Sequence, residues 1–149
     1  MRFIYNDGGR AAAGFKGEAG DCVARAIAIA SGRPYREIYK RCAEINANYS
    51  GRSKKATKMK GVRSARHGVW TQAAAFKAYM IELGFRWQVC MKIGTGCKVH
   101  MREDELPAGR VIVSLSRHYA AVIDGILHDT YDCSRDGTRC VYGYWYLPS

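Results

Sequence analysis

Three residues in this chain carry the functional groups that thiol-based acyl transfer needs: Cys22, His118 and Asp129. A thiol attacks a carbonyl carbon as its thiolate, so near neutral pH it needs a partner that takes or shares its proton. Cys22 follows Asp21 and opens the run CVARAIAIAS, which places it in the first turn of a helix capped by Asp21. The free N–H groups and dipole of a helix start favour a negative sulfur, while the Asp21 carboxylate opposes it, so a histidine is required. His67 falls in a basic stretch and His100 in an irregular one, whereas His118 and His128 lie in RHYAAVIDGILHDTYD. There Asp124-Gly125, between two apolar runs, signals a two-residue hairpin turn. With that turn, Val122 faces Leu127, Ala120 faces Asp129 and His118 faces Tyr131. Side chains alternate along a strand, so His118 and Asp129 become diagonal neighbours on one face, and His128 points to the other. The chain thus offers a nucleophile, a base and a carboxylate to orient the base. A packing thiol and a structural histidine are the alternative reading of the same residues.

The elements that must position these groups are legible from periodicity. CVARAIAIAS is apolar on nearly every face, which implies a central buried helix, and Gly32 stops it. Pro34 opens a second, amphipathic helix, PYREIYKRCAEIN, and Thr71 caps a third, QAAAFKAYMIEL. FRWQVCMKI, RVIVSLS, the two arms of the hairpin and CVYGYWYL read as strands. Aromatic residues of the last run, and Trp70 and Trp87, read as packing groups. Helices first and strands after predict an α+β fold, with N-terminal helices on a C-terminal antiparallel sheet, in a single domain over residues 1–149.

A composition of 48% hydrophobic and 25% charged residues over 149 positions fits a folded domain with its own core and excludes general disorder. No apolar run approaches the roughly 18 residues of a membrane span, and the N-terminus is too polar for a secretory leader, so a cytoplasmic protein without membrane contact is expected. The net charge of +11 is concentrated between residues 50 and 68. Arg52, Lys54, Lys55, Lys58, Lys60, Arg63 and Arg66 occur there without one acid. Such a loop either attracts nucleic acid or an acidic protein surface, or is a solvated segment that aids solubility.

Six cysteines in a reducing compartment are expected to remain thiols. Cys90, Cys97, His100, Cys133 and Cys140 could form a structural metal site, but no C-x2-C pair supports one. Neither a metal nor another cofactor is expected.

GDCVARA, followed far downstream by SRHYAAVIDGILHDTYD, resembles the papain-like cysteine peptidase superfamily. It is most similar to minimal members related to double-glycine peptidases and to small phage and bacterial proteins. The resemblance implies Cys22 as nucleophile, His118 as general base and then acid, and Asp129 as the orienting residue. It implies the Cys22 N–H as one oxyanion donor and a peptide or peptide-like substrate. The family usually carries Gln six residues before the nucleophile, where this chain has Lys16; Asn6 and Gln72 are other candidates for that donor. The implied function is cleavage of an amide or thioester. The alternative is a non-catalytic module of the same fold that docks through its basic loop.

Overall fold

The computed structural model describes residues 1–16, 20–48, 65 and 68–148. The basic segment lies outside the described residues except for Ala65 and Gly68. Strand β1 (Arg2–Tyr5) is followed by helices α1 (Cys22–Ser31), α2 (Tyr35–Asn48) and α3 (Ala74–Glu82). Strands β2 (Arg86–Val89), β3 (Arg110–Leu115), β4 (His118–Ile123), β5 (Ile126–Asp129) and β6 (Gly143–Tyr146) complete the order. Six strands form one sheet in the order β1-β5-β4-β3-β6-β2. The α+β class is as expected.

The sheet is mixed, whereas the sequence suggests a purely antiparallel one. β1 pairs parallel to β5, with Tyr5 opposite Asp129, and every other pairing is antiparallel. Its four residues are all exposed, so no buried face marks it as a strand in the sequence. Its partner lies more than a hundred residues downstream, beyond the reach of any local pattern.

Helix α1 has the expected bounds. Eight consecutive residues, Val23 to Ala30, are buried, and Gly32 ends the helix with φ 72° while its N–H bonds the Ala28 carbonyl at 3.0 Å. One core joins α1 and α2 to α3 and one face of the sheet, through Ile27, Ile38, Phe76, Ile112 and Ala121. A second core fills the opposite face with Val111, Val113, Val122, Leu127, Met101 and Val141. The sheet is therefore covered on both sides, which is why β3 and β4 read as near-continuous apolar runs. Helix α3 begins at Ala74 after Ala73, not at a Thr71 cap.

The hairpin register matches the sequence reading: Val122 pairs with Leu127 and Ile123 with Ile126. Asp124 and Gly125 both have positive φ, 50° and 79°, as a primed two-residue turn requires. The final strand is internal, between β3 and β2, so its aromatic residues belong to the sheet and not to a free stacking surface.

The cysteines depart from expectation. Cys97 and Cys140 form a disulfide with Cα atoms 5.8 Å apart, beside the His100–Cys140 bridge. A cross-link of this kind persists in oxidising surroundings. It also removes two sulfurs from the metal arrangement considered above. No helix among the described residues is long and apolar enough to cross a membrane.

The turn is the part of the fold on which the site depends most directly. A side chain on Gly125 would meet Glu103 as well as an unfavourable φ. Gly125→Ala is therefore expected to lower stability by at least about 1–2 kcal/mol, measured as a shift in the urea unfolding midpoint.

Candidate active site

Cys22, His118 and Asp129 come together at one end of the sheet, where α1 starts, β4 starts and β5 ends. His118 Nε2 lies 2.6 Å from Asp129 Oδ2, with both side chains buried. The thiols of Cys22 and Cys133 also interact with this imidazole. The Cys22 thiol is half-buried. Tyr131 packs its ring against the imidazole, with centroids 5.3 Å apart. His128 is turned away, as parity requires, and meets the Asn6 side chain at 3.3 Å.

The electrostatics oppose burial with paired charge. Burial by itself would raise the Cys22 pKa above its ordinary 9.0. The His118 hydrogen bond and charge, the Tyr119 backbone N–H and the nearby Arg25 outweigh it, and the thiol is pulled down. Burial also disfavours a charged His118, but hydrogen bonds to Asp129, Cys133 and Cys22 hold the imidazole well above its ordinary 6.5. Asp129 is pushed up by burial and pulled down further by His118, the Thr130 N–H at 2.7 Å and Arg25. These directions favour a thiolate beside an imidazolium, the ground state of an activated cysteine.

Arg25 is a site residue that sequence reasoning missed. Its side chain is buried inside the apolar helix and pairs with Asp21, four residues back, and with Asp129 Oδ1 at 3.7 Å. Asp21 is 1% exposed and also accepts the Tyr35 hydroxyl and pairs with Arg10 Nε at 3.3 Å. Its carboxylate therefore makes no cap bond to α1, contrary to the expectation that it caps the helix. The signal was present in the sequence: an arginine in the middle of CVARAIAIAS must find carboxylates once that helix is buried.

Cys133 was also missed as a member of this site. It is 1% exposed and interacts with both His118 and Asp129, and burial pushes its thiol up. Among the described residues, His118, Asp129 and Cys133 form the group whose ligand atoms converge within 4.8 Å. The close His118–Asp129 bond and the adjacent Arg25 guanidinium occupy that space with partners of their own, which makes it a poor cradle for a cation.

A cleft of about 540 Å³ is lined in part by Tyr119, whose backbone N–H bonds Cys22. Gln72 lies on the same cleft. Of the other side chains weighed as oxyanion donors, Asn6 is committed to the Gly8 N–H and His128, and Lys16 is exposed. Trp87, expected only to pack, stands on this cleft at 43% exposure.

Two outcomes are expected. Alkylation of Cys22 by iodoacetamide follows its thiolate fraction, so its rate rises at a pH below that of an ordinary thiol. His118→Ala removes the main stabilising partner of the thiolate and moves that rise up towards 9.0, read by mass spectrometry of labelled peptides across pH. Arg25→Met leaves two buried carboxylates without their shared cation and costs about 3–5 kcal/mol in urea unfolding.

Comparison with known proteins finds no matching family model, no matching curated protein and no matching solved structure. What the site can do is therefore argued from its geometry.

Proposed function

We propose that this chain is a papain-like thiol hydrolase that cleaves an amide or thioester through Cys22, His118 and Asp129. The observation that carries the reading is a half-buried thiol at a helix start that meets a histidine whose far nitrogen bonds a buried aspartate at 2.6 Å. Two elements brought from opposite ends of the sequence would have no packing reason to align these three groups in that order.

The reaction follows from the protonation states. The Cys22 thiolate attacks the substrate carbonyl carbon, and the carbonyl electrons move onto oxygen. The first-turn N–H groups of α1, left uncapped by Asp21, are the donors we assign to that developing charge, with Gln72, on the cleft that Tyr119 lines, as the candidate side-chain donor. The imidazolium of His118 then gives its proton to the departing amine or thiolate as the bond to the carbonyl carbon breaks. Neutral His118 next takes a proton from water, whose oxygen attacks the acyl-thioester. The acid is released, Cys22 leaves as thiolate and His118 is again charged. Asp129 keeps the ring in one orientation through both steps. None of these steps calls for a cofactor.

The test is hydrolysis of fluorogenic peptide amides and thioesters by the purified chain. Cys22→Ala and His118→Ala are expected to abolish turnover, and Gln72→Ala to lower kcat by about 10²–10³. Equal, slow alkylation of all the free cysteines, with no turnover, would overturn the reading.

The seven basic residues between 50 and 68 favour a second reading, in which the domain docks on nucleic acid or an acidic protein. Replacing Lys54, Lys55, Lys58 and Lys60 with Gln would then remove a salt-sensitive interaction while leaving Cys22 reactivity intact.

A further inference from the structure

Large apolar side chains rarely stand exposed together on a domain surface without a ligand to cover them. Four do so on the cleft beside Tyr119: Trp87 at 43%, Val89 at 41%, Ile81 at 55% and Tyr142 at 39%. Trp145 closes the wall behind Trp87, with ring centroids 5.2 Å apart. Trp87 is held there by a deliberate gap: its indole lies over Gly143, and any side chain at that position would strike the ring. The cleft also carries two cations, Lys77 from α3 and Arg86 from β2, and among the described residues no aspartate or glutamate lines it. Among the described residues neither cation makes an ion pair, and Arg86 Nη1 meets only the carbonyl of Phe85. An aromatic wall with two uncompensated cations is complementary to a ligand that is apolar and anionic at once.

We propose that this cleft binds a peptide chain ending in a large apolar residue, with the side chain against Trp87 and Trp145 and the terminal carboxylate on Lys77 and Arg86. The inference rests on the hydrolase reading for its consequence: with Cys22 beside Tyr119, the bond cut lies within a few residues of the substrate's C-terminus.

The full chain carrying Cys22→Ser, which cannot turn over, is titrated with three peptides: acetyl-Ala-Ala-Phe as the free acid, the same peptide as its amide, and acetyl-Ala-Ala-Ala as the free acid. Tryptophan fluorescence and the indole N–H resonances report binding. The Phe acid is expected to bind about tenfold more tightly than either control. Arg86→Gln is expected to erase the difference between acid and amide. Trp87→Ala and Gly143→Ala are both expected to erase the difference between Phe and Ala. Equal binding of acid and amide, equal binding of Phe and Ala, or no saturable binding overturns the proposal. Binding that fails while Cys22 of the wild-type chain alkylates rapidly sinks the cleft assignment alone. Binding that holds while Cys22 is inert sinks the hydrolase reading alone.

Discussion

A guanidinium held between two carboxylates sets the geometry of this domain. Arg25 lies within a helix that is buried along nearly its whole length and is only 9% exposed, so it must meet negative charge or remain a costly buried ion. It meets Asp21 on its own helix and Asp129 at the end of β5. The Asp129 contact ties α1 to the end of β5. Cys22 is the first residue of that helix, so its sulfur is fixed relative to His118 by the same constraint. Asp21 extends the network to Tyr35 at the start of α2 and to Arg10 in the N-terminal loop. Apolar packing alone would let an Ala- and Ile-rich helix settle in several rotations. The ionic contacts favour one, in the manner of buried polar groups that confer register more than stability.

The same network shapes the chemistry. Each member of the Cys22–His118–Asp129 set is buried enough for desolvation to favour its neutral form, and each is drawn toward its charged form by a neighbour. Such a site is cooperative: the thiolate depends on the imidazolium, the imidazolium on Asp129, and Asp129 in part on Arg25. Cys133 adds a second sulfur next to the His118–Asp129 pair, which narrows the space through which that ring can swing.

Much of this was legible in the sequence, and the reasons are specific. Helix α1 could be bounded because its apolar run ends at a glycine that takes a left-handed conformation. The hairpin register could be derived because Asp124-Gly125 strongly favours a two-residue turn, and from that register came the shared face of His118 and Asp129. Strand β1 could not be read, because its pairing is parallel, exposed and remote. The Cys97–Cys140 bridge was lost to an assumption about compartment, not to spacing. Cys133 reaches the site from the turn after β5, where neither period 2 nor period 3.6 applies. Arg25 left a visible signal, a lone cation in an apolar helix, whose partners only the fold could name.

The parallel pairing of β1 with β5 has a temporal meaning. Asp129 belongs to a strand that is flanked on one side by the hairpin and on the other by residues 2–5, and the Asn6 N–H bonds the Asp129 carbonyl at 2.9 Å. During synthesis the opening residues of the chain emerge long before their partner exists. They must wait until β5 has left the ribosome, and contacts of such sequence separation form late and slowly. Cys22 is made early, but the strand that carries Asp129 is secured only when residues 2–5 and 126–129 meet. A chain not yet paired there carries Cys22 without a secured Asp129, so the cluster of Cys22, His118 and Asp129 is a property of the finished fold.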